Sequence, residues 1–501
     1  MIDFTHYADA LGLVFQVQVI AAIAGGTVLG IVFGALPGLT AAMGIAVLLP
    51  LTYNMPPVMG FGMLLGTYCG AISGGSIAAT LLNIPGTPAS VATTLDAYPM
   101  ARKGEAGRAL GIAIVASFIG GLFSSVVLSL AAPPIAEFAL KFGAAEYFSL
   151  AVFGLTIIAS VSGKSLAKGV IAGLIGVFVS LVGLDPTTGS ARYTFGEMSL
   201  LSGVAFLPAL IGLFAVGQVL TDAEEALRLK GARIQQQVGG VHLRFGDVLR
   251  RWKIVISSCI VGTSVGAIPG AGGSVASFLA YDQARRLSKT PELFGTGHDE
   301  GVIASETSNN AMTGGAIIPT ITLGVPGEAA AAVLMGGLMI HGLRPGPLLF
   351  TEQADIVYGI FMAFFLANIF MMLFQFVGIR LFVKVLGVPR SFLIPIILMF
   401  CVIGSYGVSG NIFDMYLLLV FGVLGFFLNK YGYGTAPVVL GMILGTMAET
   451  EFRKGMIMFS GDGTVFFTRP ISLLFLALAL ISVLIPLYQK WRDGRARQSK
   501  S

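Results

Sequence analysis

The chain has 501 residues, of which 55% are hydrophobic and only 11% are charged, and its mean hydropathy is +0.87. Soluble proteins carry about 25% charged residues, so this composition excludes a soluble protein and predicts one that crosses a membrane several times. The net charge of +5 does not indicate nucleic-acid binding, because the basic residues lie in loops between apolar segments. Cys69, Cys259 and Cys401 lie in apolar surroundings without metal-ligand spacing, so we expect neither a disulfide framework nor a metal site.

The N-terminal residues lack a basic stretch before the first apolar run, so we expect no cleaved signal peptide. Apolar segments long enough to span the bilayer core of about 30 Å fall into two sets. They lie at 11–33, 58–75, 109–132, 147–162, 167–183 and 203–220, then at 301–320, 356–379, 391–406, 412–428, 433–448 and 471–488. The predicted domains are a first transmembrane repeat at 1–220, a cytoplasmic linker at 221–253, a second transmembrane repeat at 254–488 and a cytoplasmic basic tail at 489–501.

The two halves contain matching motifs in the same order. The Gly-Ala-Leu-Pro-Gly sequence starting at Gly34 matches Gly-Ala-Ile-Pro-Gly starting at Gly266, an offset of 232 (266 − 34). The Gly-Gly pair at 74–75 matches the pair at 314–315, an offset of 240 (314 − 74). Ile-Pro-Gly at 84–86 matches Val-Pro-Gly at 325–327, an offset of 241 (325 − 84). Three matches in one order predict an internal repeat.

The distribution of Lys and Arg predicts that the second repeat is inverted in the membrane, because cytoplasmic loops collect basic residues. The loop at 98–108 carries three basic residues, and the loop at 51–57 carries none. In the second half the cluster follows the first Pro-Gly break, at 285–289, whereas only Arg344 follows the second break. The matched loops therefore change sides. By the same pattern the N-terminus is expected to be periplasmic.

Pro-Gly pairs break apolar runs in the middle of both halves. Broken backbone at membrane depth is tolerated only where it is buried in protein or lines a watery cavity. The runs Ser76–Ala97 and Ala316–Ile340 are each interpreted as a re-entrant hairpin, with a single Pro-kinked helix as the alternative. The predicted fold is an all-α polytopic membrane protein with about 11–12 membrane segments, in two inverted repeats with Pro-Gly-broken helices or re-entrant hairpins. This architecture is typical of secondary transporters.

The helix starts that follow the breaks predict a site for an anion. A helix start has free N–H groups and the positive end of the helix dipole, so it can hold a carboxylate. The alternative is that these small residues only allow close packing. The predicted substrate-binding residues are Asn83, Pro85, Gly86, Thr87, Ser90, Pro269, Gly270, Gly272, Gly273, Ser274, Asn309, Asn310, Pro326 and Gly327.

Ion coupling is assigned to Glu306, Asn310 and Glu328, because ionisable groups at membrane depth are costly and usually functional. Their oxygens can bind Na⁺, and either carboxylate can take a proton. Two alternatives stay open: Glu306 is solvated at the start of a span, and Glu328 only caps the helix that follows it.

The sequence contains no Walker A motif and no Ser-His-Asp or metal-ligand constellation, so we expect no enzymatic activity and no cofactor beyond Na⁺ as a possible coupling ion. A channel or passive pore for organic anions is the alternative function. Such a pore needs an open path lined by carbonyl groups or rings of charge. The paired Pro-Gly breaks favour gating about one central site instead.

Several long motifs resemble one family of membrane transporters. They include Gly34–Thr40, Gly66–Ser76, Leu82–Pro88 and Gly266–Gly273, and the most specific is Ala304–Ala311 followed by Leu323–Ala329. With these motifs the chain resembles the TctA family, the large membrane subunit of the tripartite tricarboxylate transporters. The resemblance extends over about residues 10–450.

The resemblance implies a multi-pass protein of the bacterial inner membrane that imports a carboxylate, such as citrate or another di- or tricarboxylate. It implies two protein partners, a small TctB-like membrane subunit and a periplasmic, TctC-like solute-binding protein that delivers the substrate. Transport is expected to be driven by a gradient of Na⁺ or H⁺. The expected surroundings are the lipid bilayer, and no nucleic-acid partner is expected.

Replacing Asn309 or Glu328 by Ala is expected to abolish uptake, because each removes a polar group from the predicted site. Membrane insertion is expected to stay intact, as measured by the amount of protein in washed membranes. Full uptake by both Ala variants would exclude this assignment.

Overall fold

The computed structural model describes residues 4–161, 165–185, 187–228 and 240–498. Residue 162 of the predicted segment 147–162, residues 229–239 of the predicted linker and residues 499–501 of the predicted tail lie outside these ranges. Within them the chain is almost entirely helical, with one short β-hairpin.

The helices of the first half follow one another with short connections. In chain order they are α1 (Phe4–Val14), α2 (Val17–Ala35), α3 (Ala41–Leu48), α4 (Pro57–Leu82), α5 (Val91–Met100), α6 (Ala106–Ala139), α7 (Ala144–Val161), α8 (Leu166–Ser180), α9 (Phe206–Ile211) and α10 (Gly217–Arg228). Between α8 and α9, β1 (Gly183–Leu184) pairs antiparallel with β2 (Ala191–Arg192).

The second half repeats this order of long and short helices. Its helices are α11 (Phe245–Leu249), α12 (Trp252–Gly266), α13 (Gly272–Leu287), α14 (Asp299–Leu323), α15 (Ala329–Ile340), α16 (Leu349–Glu352), α17 (Ala354–Val385), α18 (Arg390–Ser409), α19 (Ile412–Lys430), α20 (Ala436–Met458), α21 (Val465–Thr468) and α22 (Pro470–Gln498).

Within the described residues the predicted apolar segments lie mainly on helices. The first, 11–33, covers the end of α1 and most of α2, and the segments 167–183, 203–220 and 433–448 each extend three residues beyond their helices. Seven helical stretches in the described residues are long and apolar enough to cross a membrane, and six shorter apolar helices accompany them. The prediction of an all-α polytopic membrane protein is therefore confirmed.

Helices α2 and α4 lie in backbone contact and run in the same direction. A Cβ atom added to Gly26 would lie 2.0 Å from the backbone oxygen of Met63, and one added to Gly34 would lie 2.0 Å from that of Ala71. The residue numbers of the two contact partners rise together, from Gly26 and Met63 to Gly34 and Ala71, so the two helices are parallel. Only glycine lets two backbones approach this closely, so this helix pair depends on the glycines of α2.

Helices α12 and α14 make the equivalent contact. A Cβ on Gly262 would lie 2.3 Å from the Ser308 oxygen, as a Cβ on Gly30 would lie 2.3 Å from the Thr67 oxygen. The two contacts are related by offsets of 232 (262 − 30) and 241 (308 − 67). The motif offsets found in the sequence therefore correspond to equivalent contacts in the structure.

One part of the sequence alignment is wrong by one residue. Gly74 and Gly315 occupy equivalent places, since Gly74 packs on the backbone oxygen of Ile31 and Gly315 on that of Thr263. Their offset is 241 (315 − 74), and not the 240 that aligning the two Gly-Gly pairs gave. Two adjacent glycines have no side chains to set the register, so only the packing of the helices distinguishes them.

One long helix of each half packs along a helix of the other half. Helix α6 packs along α14, and α17 packs along α4. Helix α6 runs parallel to α14, because its Ser117 bonds Glu306 and a later residue, Ser124, packs on Gly314. The end of α4 and the start of α6 share one apolar cluster through Leu81 and Ala106. Helix α4 therefore runs opposite to α6 and to α14.

Both Pro-Gly segments are extended connections between two helices. Helix α4 ends at Asn83 in the left-handed conformation (φ 57°), and α14 ends at Gly324 in the same conformation (φ 68°). The chain then returns toward the middle of α4, where the Gly86 N–H donates to the Gly75 oxygen (3.3 Å). These segments are not single Pro-kinked helices, because extended residues separate the two helices in each case.

The β-hairpin is held to the end of α20 by ion pairs. The Asp185 carboxylate accepts the N–H groups of Thr187 and Thr188, both at 2.9 Å, and these bonds lower its pKa to about 2. It also lies 2.9 Å from the Arg453 guanidinium. A lowered pKa means that this attachment contributes above pH 4 and is lost only as the pH falls through about 2.

Gly26→Ala is expected to destabilise the folded protein by about 1–3 kcal/mol, because the new methyl group overlaps the backbone of Met63. Its neighbour Gly25 is a matched control, since a Cβ there meets nothing within 4 Å. Thermal unfolding in detergent measures the difference. Equal unfolding temperatures for the two Ala variants would contradict the close packing of α2 on α4.

Candidate functional site

A cavity of about 450 Å³ lies where the broken segments of the two halves meet. Four stretches that follow the breaks line it, two from each half: Thr40–Ala42, Thr87–Ala89, Gly270–Val275 and Glu328–Ala330. The remaining walls come from two residues between α9 and α10, from α10, from the end of α19, from the start of α20 and from one residue of α4. These lining residues are Ile72, Leu213, Phe214, Gln218, Asn429, Gly434, Thr435, Ala436, Pro437 and Leu440.

The cavity is surrounded by the N-terminal ends of α3, α5, α13 and α15. Each of these ends carries part of the positive pole of its helix dipole, equivalent to roughly half an elementary charge. Hydroxyl groups of Thr40, Thr87, Ser274 and Thr435 add polar atoms to the walls. Backbone N–H groups and hydroxyls are neutral donors, so the site suits an anion without binding it through a fixed cation.

Glu328 is the charged residue among the described residues that line the cavity. It immediately precedes α15 in an extended conformation (φ −153°), and its side chain does not cap that helix. The carboxylate instead accepts a hydrogen bond from the Tyr68 hydroxyl of α4. Tyr68 is fully buried. This contact joins the first half to the second at the wall of the cavity.

The structure brings only part of the predicted site into the cavity. Of the predicted substrate-binding and ion-coupling residues, the ones that line it are Thr87, Gly270, Gly272, Gly273, Ser274 and Glu328. The predicted residues of the breaks themselves are not among the lining residues: Asn83, Pro85, Gly86, Ser90, Pro269, Pro326 and Gly327. Asn83 is exposed, whereas both glycines of the breaks, Gly86 and Gly327, are buried. Ser90 stays close, with its Oγ 3.3 Å from the Thr87 Oγ1.

Glu306 lies in a separate buried polar cluster between α5, α6 and α14. Its carboxylate accepts hydrogen bonds from Thr93 (2.5 Å) and Ser117 (3.0 Å), and its side chain is not exposed at all. The alternative that Glu306 is solvated at the start of a span is therefore wrong. Helices α5 and α6 of the first half pack over Glu306 and bury it, and the sequence does not reveal this contact between the halves.

Asn309 and Asn310 connect this cluster to the cavity wall. The Asn309 side chain donates to the Ala89 oxygen (3.4 Å), and the Asn310 side chain donates to the Asn309 Oδ1 (2.6 Å). The Oδ1 atom of Asn310 is buried without a hydrogen-bond partner. Ala89 lines the cavity, so Asn309 supports the first-half segment from behind.

Asp96 is a structurally important residue that the sequence analysis did not include in the site. It is fully buried, and its Oδ1 accepts the N–H groups of Gly295, Gly297 and His298 at 2.8–2.9 Å. Its Oδ2 accepts the Tyr281 hydroxyl (2.8 Å). The signal available in the sequence was an acidic residue within the otherwise uncharged run 85–101.

The basic loops of the two halves were predicted to lie on the same side of the membrane. In the structure these loops contact each other around Asp96. The Lys103 amine donates to the Thr296 oxygen (2.7 Å), and Arg108 pairs with Asp299 (2.5 Å). Arg251, from the end of the predicted linker, pairs with Glu300 (3.2 Å). Loops from both halves therefore meet at one end of α14.

The architecture defines a class: a multi-pass membrane transporter with a central cavity between two similar halves. A family model described as the tripartite tricarboxylate transporter TctA family matches residues 20–440. The chain belongs to this family and is the large membrane subunit of such a transporter.

Two proteins of Agrobacterium vitis are similar to the chain. One, an uncharacterised 52.8 kDa protein in the TAR-I ttuC′ 3′ region, is 39% identical over 471 residues, which cover 94% of this chain and 93% of that protein. The other, an uncharacterised protein in the TAR-II ttuC′ 3′ region, is 38% identical over 234 residues, 47% of this chain and 97% of that protein.

Asp96→Ala is expected to destabilise the protein by about 3 kcal/mol or more, because it leaves the buried Tyr281 hydroxyl and three backbone N–H groups without their acceptor. Asp282→Ala is the control, since Asp282 forms an exposed ion pair with Arg286 that contributes little. Chemical or thermal unfolding in detergent measures both. An Asp96→Ala variant as stable as Asp282→Ala would contradict the structural role given to Asp96.

Proposed function

We propose that this chain is the permease of a tripartite secondary transporter of the bacterial inner membrane, which imports a di- or tricarboxylate by alternating access. A periplasmic solute-binding protein delivers the substrate, and a small membrane subunit accompanies the chain. The family supports the transporter class. The carboxylate substrate, the delivery protein and the ion gradient that drives uptake belong to the proposal.

One observation carries this proposal: four helix starts, two from each half, surround a single cavity at the breaks. Helix starts of this kind bind anions by backbone N–H groups and dipoles. The volume of about 450 Å³ lies within the range of about 300–1,000 Å³ that is usual for small-molecule sites. A small carboxylate therefore fits both the charge and the size of the site.

The relation of the halves supports alternating access. The matched helices α4 and α14 run in opposite senses, and each half contributes the same set of contacts with offsets of 232 and 241 residues. We infer that the halves are inverted repeats. A site placed between inverted repeats can be exposed to either side by moving one group of helices against the other.

Glu328 supports coupling to a cation. An ionised Glu328 and a substrate carboxylate about 4 Å apart would repel each other by about 4 kcal/mol at an effective dielectric constant of about 20. Binding of the substrate therefore requires an H⁺ or Na⁺ that neutralises the Glu328 carboxylate. Glu306 and Asn310 offer a second position for such an ion, since the Glu306 carboxylate is fully buried.

Uptake into proteoliposomes tests the proposal. The vesicles contain this chain and the small membrane subunit, with the solute-binding protein outside, and are offered a panel of labelled di- and tricarboxylates. Gradients of Na⁺ and of pH are imposed separately. Saturable uptake that needs the binding protein and one of the gradients supports the proposal. Linear flux without the binding protein or a gradient would support the passive pore for organic anions instead.

Thr87→Val is expected to raise the substrate concentration for half-maximal uptake about 10–100-fold, because a hydrogen bond to a charged group contributes about 1.5–3 kcal/mol. Thr94→Val is the matched control, since the Thr94 hydroxyl donates to Val91 within α5 and Thr94 is not among the residues that line the cavity. Initial rates of uptake over a range of substrate concentrations measure both. Unchanged affinity in Thr87→Val would remove Thr87 from the site.

A further inference from the structure

The Tyr68–Glu328 hydrogen bond is the polar contact that crosses from the first half to the second at the cavity wall. Tyr68 comes from the middle of α4, a helix otherwise rich in glycine and small residues, and is fully buried. Its hydroxyl reaches Glu328, which faces the cavity. The sequence analysis did not assign a role to Tyr68.

The Tyr68 partner of Glu328 fits an ionised carboxylate. The Tyr68 hydroxyl donates to it, and a carboxylate accepts this hydrogen bond. A protonated carboxyl group has one O–H that must itself find an acceptor, and the phenolic oxygen of Tyr68 can accept it.

Tyr68 has a second possible acceptor for its own hydroxyl proton. The Sδ atom of Met312 in α14 lies 3.8 Å from the Tyr68 oxygen. A thioether sulfur is a weak acceptor, so the hydroxyl donates to the carboxylate when that group is charged. When Glu328 is protonated, the hydroxyl can turn to Met312 and accept the Glu328 proton in a hydrogen bond. Both protonation states therefore keep their hydrogen bonds.

We propose that Glu328 takes up one proton with each substrate molecule, and that Tyr68 is the positioning residue that supports both states of the carboxyl group. The inference rests on the proposed function, and it selects H⁺ as the coupling ion. The proton comes from water on the side where the substrate enters, forms an O–H bond on the Glu328 carboxylate, and returns to water on the other side. Tyr68 keeps its own proton throughout.

The surroundings of Glu328 contain few other groups that titrate. Helix α4 contributes Tyr68 and its neighbour Cys69, and α3, α9 and the first turns of α13, α15 and α20 contribute none among their described residues. Helix α14 contributes Glu306, whose carboxylate is bonded to Thr93 and Ser117 and so faces α5 and α6. Helix α10 contributes Asp222, which is buried and accepts a hydrogen bond from the lining residue Gln218, and the end of α19 contributes Lys430, which pairs with Glu224. Among the described residues that line the cavity itself, Glu328 is the one with a titratable side chain.

The equivalent position in the first half has no acid. With the offset of 241, Tyr68 corresponds to Asn309 (309 − 68) and Glu328 corresponds to Thr87 (328 − 87). Asn309 donates to the Ala89 oxygen, and the Thr87 hydroxyl lies beside Ser90. Neither residue changes charge over the accessible pH range. Among the described residues that line the cavity, Glu328 is therefore the one that can accept a proton. We expect one proton to bind at this site in each transport cycle.

The test uses the reconstituted complex with the carboxylate that wild-type protein transports best. Two processes are measured: accumulation driven by an imposed pH gradient, and exchange of labelled for unlabelled substrate without a gradient. Glu328→Gln keeps the shape of the side chain but cannot gain or lose a proton. We expect this variant to lose accumulation driven by the pH gradient, and we expect its exchange rate to become independent of pH between 5 and 8.

Tyr68→Phe separates the positioning role from a packing role. Removing the hydroxyl takes a donor away from the charged carboxylate, so protonation becomes easier. The pH of half-maximal exchange is expected to rise by about one unit, which corresponds to about tenfold in proton affinity. Tyr98→Phe removes a hydroxyl from α5 outside the residues that line the cavity, and its pH profile is expected to match wild type.

The possible failures are distinguishable. If wild-type protein transports no carboxylate of the panel, the proposed function is wrong. If wild-type uptake follows the Na⁺ gradient alone and the pH profiles of Glu328→Gln and Tyr68→Phe match wild type, the proton inference is wrong while the proposed function stands. If Glu328→Gln is not recovered from membranes, the shift of the pH profile in Tyr68→Phe decides the question.

Discussion

Close contact between glycine backbones is the constraint on which the rest of this structure depends. The broken segments at Pro85-Gly86 and Pro326-Gly327 lie at membrane depth, where unpaired N–H and C=O groups are costly. Both are buried against another backbone: a Cβ on Gly86 would lie 2.0 Å from the Gly34 oxygen, and one on Gly327 would lie 2.3 Å from the Gly266 oxygen. Any side chain at these places would push the break away from its supporting helix. The same glycines therefore keep the helix starts at the edge of the cavity.

Around this scaffold the two halves have different chemistry. The first half places Thr87 at its break, and the second places Glu328 there. The backbone contacts are nearly identical, so both halves can offer N–H groups and dipoles to an anion. Only the second half adds a group whose charge can change. In the proposed function, this single difference between the halves places the coupling group on one side of the cavity.

Much of the fold was predictable from the sequence because apolar length and composition act locally. Within the described residues each predicted membrane segment lies mainly on helices, and the motifs Gly34–Gly38 and Gly266–Gly270 have equivalent places in the structure. The helical piece after the first break was predicted and corresponds to α5, whereas α3 and the β-hairpin were not predicted, because they are too short for a periodic signal. The predicted site residues reach the candidate cavity only in part. Thr87, Ser274 and Glu328 line the cavity, whereas Asn309 and Asn310 support it from behind.

The sequence by itself determined the membrane class, the positions of the breaks and the family, because each of these depends on residue type and order along the chain. The tertiary structure decided the partners of the buried polar groups. Tyr68 meets Glu328 across 260 residues, and Asp96 meets Gly297 across 201. No local pattern predicts such pairs, since they form only when helices from opposite halves pack together. The tertiary structure also distinguishes Glu306 from Glu328. Helices α5 and α6 cover Glu306, whereas Glu328 lines the cavity.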